Sequence, residues 1–226
     1  MQKEVVLIIA AHPDDEVLGM GGTVLKLKKQ NYNLNLLILS NGEDSRGKGN
    51  EKQIKKRKIQ AERVSKLLRI NKIFFEDFPD NEFDSVSLLS IVKKVEKKIS
   101  ETKPSIVYTH NPNDLNIDHR ITFQSVLTAC RPQPGFFVKK ILAFETLSST
   151  EWQLKNAKNA FCPTEYVNIE KSIDKKIKIL EIYKDELREF PHPRSEKGVR
   201  VLSEYRGMEV GYKNAEAFQV IRKLYD

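Results

Sequence analysis

The stretch His12-Pro13-Asp14-Asp15-Glu16 sets one imidazole and three carboxylates directly after an apolar run, Val5 to Ala11. That run has the length and β-branched content of a buried strand. Polar side chains crowded at the carboxyl end of a strand repel one another unless a cation or water satisfies them. Pro13 restricts His12 to extended backbone, and the chain must then turn, because a helical pattern begins near Val17. The turn folds His12 and Asp15 back toward one point with Asp14 beside them. A His nitrogen with an Asp oxygen suits zinc or another first-row divalent metal. Two protein ligands are too few for a stable site, so a third is expected from elsewhere. A helix starting near Val17 could use Asp14 or Asp15 as its N-cap, but that accounts for one carboxylate and leaves His12 and the others idle.

The candidate third ligand is His119, near the first turn of a helix expected over Ile121 to Cys130, with Asp118 as the carboxylate that orients or shields it. Other polar clusters also follow apolar runs. Ser40 to Gly47, with Asn41, Glu43 and Arg46, reads equally as a surface loop or a substrate contact. Phe78-Pro79-Asp80-Asn81 and His110-Asn111-Pro112-Asn113-Asp114 occupy similar places. Farther on, His192 and Arg194 lie in a segment stiffened by Pro191 and Pro193, which suits a fixed ligand contact or a plain loop.

The elements that must position these residues alternate. Strands are expected at Leu34–Leu39, Ile73–Phe75, Ser105–Thr109, Ile141–Phe144 and Tyr166–Ile169. Helices are expected at Leu18–Gln30, Ile54–Leu68, Val86–Ile99, Ile121–Cys130, Ile173–Leu187 and Val199–Tyr205. Alternation of this kind indicates an α/β fold, a Rossmann-like three-layer sandwich with a mostly parallel sheet, here with a C-terminal elaboration. Ligands in such folds sit beyond the carboxyl ends of the strands, and every polar cluster as far as Asp114 falls on that edge.

A chain of 226 residues with 39% hydrophobic content is read as one domain over residues 1–226. No apolar run approaches the roughly 18 residues that a membrane span needs, and the N-terminus lacks a secretory pattern, since Glu4 precedes the apolar run. Cys130 and Cys162 have no metal-ligand spacing and are expected to be inert. A cytoplasmic protein is expected. The net charge of +8 comes from lysines spaced along helix faces, and no nucleic-acid motif accompanies it.

Taken together, Ala11-His12-Pro13-Asp14-Asp15-Glu16, the following Gly21-Gly22 and the later Asp118-His119 resemble the PIG-L/LmbE family of zinc-dependent N-deacetylases, which act on N-acetylglucosamine-containing substrates. The resemblance implies that His12, Asp15 and His119 bind zinc, with Fe2+ an alternative, and that Asp14 is the general base. Many members carry a histidine three residues before the last ligand; Asn116 stands there in this chain. An amide can donate a hydrogen bond but cannot become a cation at neutral pH, so the electrophilic role is left to the metal, to Asn116, or to His110 or His192. The implied reaction is amide hydrolysis on a small N-acetylated sugar or conjugate, with Arg46, Arg57, Asp80 and Arg194 as candidate sugar or phosphate contacts. Family members are often oligomeric, which leaves a homo-oligomer open, with His192 available to a neighbouring subunit. The rivals are another metallohydrolase such as a phosphoesterase, and a non-catalytic nucleotide-binding module built on Gly19-Met20-Gly21-Gly22.

Overall fold

The computed structural model of the chain describes residues 3–40, 42, 51–134 and 138–225. Strand β1 (Val5–Ala10) explains the architecture. Val6, Ile8 and Ala10 enter one apolar cluster, Leu7 and Ile9 enter another, and all five are fully buried. A strand covered on both faces must be apolar at every position, which is why the run is continuous rather than alternating.

Around it the described residues form a seven-stranded sheet of order β3-β2-β1-β4-β5-β7-β6. The others are β2 (Asn33–Ser40), β3 (Lys72–Phe78), β4 (Ile106–His110), β5 (Lys140–Phe144), β6 (Glu165–Asn168) and β7 (Ala215–Lys223). The first five are mutually parallel, and β7 runs antiparallel to both β5 and β6. Helices α1 (Asp15–Lys29), α2 (Glu51–Leu68), α5 (Ile173–Leu180) and α6 (Glu196–Met208) share the first cluster through Val17, Val24, Val64, Ile177 and Val199. Helices α3 (Leu88–Thr102) and α4 (Ile117–Ala129) share the second through Ile91, Val95 and Val126. The fold is therefore a three-layer α/β sandwich. Its strand order reverses between β1 and β4, and the crevice beyond their carboxyl ends is the usual ligand position in such sheets.

The structure differs from the sequence reading in two elements. Strand β7 has no counterpart in the sequence reading; its second residue, Glu216, is buried against Lys176 Nζ at 2.7 Å, a partner 40 residues away. The helix expected over Ile173–Leu187 ends at Leu180 and gives way to 3-10 turns over Glu181–Glu186, with a kink at Tyr183. Gly19, Gly21 and Gly22 lie within α1, as the helix expected over Leu18–Gln30 requires, so the rival nucleotide-binding loop is not formed there. A Cβ on Gly19 would stand 2.3 Å from the Phe144 ring, and one on Gly22 would stand 2.8 Å from Ile169, so close packing requires these glycines.

Helix α1 is broken at Met20, whose φ of -152° and ψ of 20° are not helical. The groups freed by the break are satisfied from the C-terminal part of the chain. Glu216 accepts from the Gly22 and Thr23 amides at 2.9 and 2.6 Å, and Lys176 Nζ donates to the Leu18 carbonyl at 2.8 Å. Among the described residues, no helix is long and apolar enough to cross a membrane.

Candidate metal centre

The loop after β1 closes on itself before α1 begins. The His12 amide donates to Asp15 Oδ2 at 2.9 Å, and His12 Nδ1 lies 3.3 Å from the same oxygen. Asp14 occupies the N-cap position of α1, yet its side chain caps nothing; its carbonyl accepts from the Val17 and Leu18 amides. Its φ of 121° is a conformation that non-glycine residues rarely adopt, at a cost of order 1–3 kcal/mol that surrounding contacts must offset. Glu16 supplies one such contact, accepting from the Asp14 amide at 3.0 Å, and Tyr183 Oη donates to Glu16 at 2.8 Å.

His119 arrives from the first turn of α4, which begins at Ile117 rather than Ile121. Asn116 is the N-cap of that helix and accepts from the Asp118 amide at 2.8 Å. His119 Nε2 lies 3.5 Å from Asp15 Oδ2, so both imidazoles turn one nitrogen toward the same carboxylate. Their other nitrogens are held by carboxylates: His12 Nε2 by Asp118 at 2.9 Å, with Asp80 at 3.2 Å, and His119 Nδ1 by Asp114 at 2.9 Å. Ligand atoms of His12, Asp15 and His119 all lie within 4.8 Å of one another.

Asp118 was expected to orient His119. It holds His12 instead, while also accepting from the Asn81 and Phe83 amides at 2.7 and 3.0 Å. The reason is geometric. His119 follows Asp118 in a helix, so the two side chains point about 100° apart, and His119 is met by Asp114 from the preceding loop. Asp114 is itself fixed by the Thr150 hydroxyl at 2.6 Å and the Asn111 amide at 3.2 Å.

This donor set fits a divalent cation. His119 Nε2 and Asp15 Oδ1 are buried without a hydrogen-bond partner among the described residues. Leaving such groups unpaired costs about 1–3 kcal/mol each, so a ligand that takes both is favoured. A metal-bound imidazole normally gives its second nitrogen to a carboxylate or carbonyl, and here both do.

The same carboxylates dominate the electrostatics. Burial opposes charge on His12, but its hydrogen bonds to Asp118 and Asp15 and the Asp80 charge push its pKa up to about 10. His119 is also raised, against burial, by Asp15 and Asp114. Burial raises Asp14 to about 6, opposed by the Arg194 and Arg57 charges and assisted by the Asp15 charge. His110 moves the other way, to about 4, through burial and the neighbouring His119 charge.

The remaining expected residues are dispersed around this core. His110 is fully buried and stacked on His119 at 3.8 Å, and its Nε2 accepts from the Ala11 amide at 2.9 Å. The same nitrogen also lies 3.3 Å from Asp15 Oδ2. Asn116 and Asp80 line a cleft of about 120 Å3 with His12, Asp14, Arg57 and Arg194. The Asn116 amide nitrogen donates to Asn81 Oδ1 at 2.8 Å. Arg57 is 4% exposed and donates to the Pro13 carbonyl at 3.1 Å. Arg194 donates to Asp14 Oδ2 at 2.9 Å. His192 is held away from the cluster: its Nδ1 accepts from the Arg194 amide at 3.0 Å, and its ring meets the edge of Trp152. Asn41, Glu43 and Arg46 lie outside the described residues.

Asp114, Glu16, Tyr183 and Glu186 were not assigned roles from sequence. Asp114 and Glu16 stood inside polar clusters already singled out. Nothing local marks Tyr183 or Glu186, which reach the site only through tertiary packing.

Comparison with known proteins places the chain in a family. The family model of PIG-L, described as GlcNAc-PI de-N-acetylase, matches residues 7–130, which is more than half of the chain. A diacetylchitobiose deacetylase of Thermococcus kodakarensis is 24% identical over 97% of this chain and 84% of its own length. The structure of an N,N'-diacetylchitobiose deacetylase from Pyrococcus horikoshii is similar with a TM-score of 0.77 at 20% identity, covering 96% of this chain and 84% of that one. A 4-carboxy-2-hydroxymuconate hydratase of Pseudomonas putida has a TM-score of 0.78 at 17% identity, covering 99% of this chain and 98% of that one. The last likeness shows that the fold alone does not select a reaction.

Proposed function

The chain belongs to the PIG-L family, and from that membership we propose that it is a metal-dependent hydrolase that removes the acetyl group from an N-acetylated, glucosamine-type sugar or sugar conjugate. The observation that carries the reading is the pair of imidazoles whose inward nitrogens converge on Asp15 while carboxylates hold their outward nitrogens. His12, Asp15 and His119 would hold the ion, and the N2O donor set suits zinc, with Fe2+ an alternative. Bound there, a divalent cation supplies Lewis acidity that lowers the pKa of water and polarises a carbonyl.

The chain's own groups do the rest. Asp14 reaches the cleft from beside the ligand set and takes the proton of the attacking water. The same carboxyl then returns that proton to the sugar amine as the C–N bond breaks, releasing acetate and the free amino sugar. Asn116 at the cleft wall is the candidate donor to the carbonyl oxygen. His110, with Nε2 committed to Ala11, is assigned a supporting role behind His119. Asp80 and Arg57 also line the cleft, and both are assigned to positioning the loop, because Arg57 donates to the Pro13 carbonyl and Asp80 Oδ1 lies 3.2 Å from His12 Nε2.

Chelator-treated protein, reloaded with zinc or iron, is expected to release acetate from N-acetylglucosamine derivatives. Asp14→Asn should bind the same quantity of metal while losing about 10²–10⁴-fold in rate, the usual worth of a positioned proton-transfer group. Phosphate release from esters without acetate release would replace the deacetylase by a phosphoesterase on the same centre. Failure to bind any metal would remove the basis of both.

A further inference from the structure

Three charged side chains surround the Pro13-Asp14 turn, and two of them, Glu186 and Arg194, lie outside the region matched by the family model. We propose that Arg57, Glu186 and Arg194 act together as a clamp of positioning residues for the Asp14 carboxylate; the inference rests on the reading of Asp14 as the base. Arg194 Nη1 donates to Asp14 Oδ2 at 2.9 Å, while its Nε is fixed by Ser148 Oγ at 2.7 Å and the Leu147 carbonyl at 3.3 Å. On the other side of the turn, Arg57 Nη2 donates to the Pro13 carbonyl at 3.1 Å. Glu186 lies between the two guanidinium groups, with Oε1 3.4 Å from Arg57 Nη1 and Oε2 3.7 Å from Arg194 Nη1.

Three separate elements thus converge on two successive residues. Arg57 comes from α2, Glu186 from the 3-10 turns after α5, and Arg194 from the loop before α6. One arginine holds the backbone of Pro13 and the other the side chain of Asp14. A planar guanidinium with donors in a fixed fork holds an oxygen in direction as well as distance, which an ammonium does not. Arg57 and Glu186 line the cleft beside Asp14, where Arg57 is engaged by the Pro13 carbonyl and by Glu186. Arg194 is already engaged through both Nε and Nη1. None of the three stands among the residues whose ligand atoms converge near Asp15, so aiming the base is separable from holding the ion.

The test is Arg194→Gln, with Arg194→Lys and Asp14→Asn alongside, in the full metal-reconstituted chain with chitooligosaccharides as the probe. Arg194→Gln is expected to lower kcat about 10- to 100-fold, the scale of a misplaced catalytic group. KM should stay within about twofold, and metal stoichiometry should be unchanged. Arg194→Lys should recover only part of the loss, and adding Arg194→Gln to Asp14→Asn should cost little more than Asp14→Asn alone. In crystals of metal-loaded Arg194→Gln, the Asp14 carboxylate should take a new or divided orientation. A rise in KM with kcat unchanged would make Arg194 a substrate contact and overturn the clamp, as would an Asp14 carboxylate unmoved in those crystals. If the wild-type chain releases no acetate, the deacetylase reading fails separately, and the Asp14 orientation in the variant decides the clamp.

Discussion

At the scale of single residues, the centre depends on which carboxylate meets which ring nitrogen. Asp114 has no contact with His12 or Asp15 in the ligand set, yet it fixes the ring of His119 through Nδ1 and is locked in turn by Thr150 and Asn111. Replacing Asp114 by Asn keeps the volume but removes the charge that makes the imidazole a better donor. The expected outcome is a loss of about 10–100-fold in metal affinity, the usual cost of removing such a partner. Competition with a chromophoric chelator checks it, and unchanged affinity would mean that Asp114 only caps its own loop. Asp118→Asn is more severe on structural grounds, because Asp118 also satisfies the Asn81 and Phe83 amides.

At the scale of elements, α1 begins with the residues that do the chemistry and breaks after its first turn. The break at Met20 lets the first segment present Asp15 and Glu16 while the second packs Val24 and Leu25 into the core. It survives because Glu216 of β7 and Lys176 of α5, both about 4% exposed at the side chain, satisfy the freed amides and carbonyl. A buried charge that loses its counter-charge costs about 3–5 kcal/mol. Glu216→Ala is therefore expected to destabilise the chain by about that amount in urea unfolding. It should also weaken activity, because β7 and α5 brace the helix that carries Asp15. A loss under about 1 kcal/mol would mean that the break is stabilised by packing alone.

At the scale of the whole molecule, the ligand set joins the β1–α1 turn and the start of α1 to α4, which comes much later in the chain. A ligand that binds only the folded form stabilises it by about 2.7 kcal/mol at a hundredfold excess over Kd. Removing the ion with a chelator should lower Tm, and readdition should restore it. The shift should be smaller in His119→Ala, which loses one of the three ligands. A Tm indifferent to chelator would argue against a cation held by folded elements.

Much of this molecule was legible in the sequence because the signals were local. Continuous apolar runs marked strands buried on both faces, since a parallel sheet between two helical layers leaves no face for polar residues. Polar clusters at their carboxyl ends marked the functional edge, and five adjacent residues supplied two of the three candidate ligands. Tertiary structure decided what depends on distant parts of the chain. It gave Asp118 to His12 and Asp114 to His119, because consecutive residues of a helix cannot face the same ring. It also turned Arg194 inward onto Asp14, from 180 residues away. And it made a strand of Ala215–Lys223, whose second residue, Glu216, is tolerable in the interior only beside Lys176. Side-chain type and spacing determine what chemistry a segment can do, but a buried charge is stable only beside its partner, and that pairing is fixed when the fold closes.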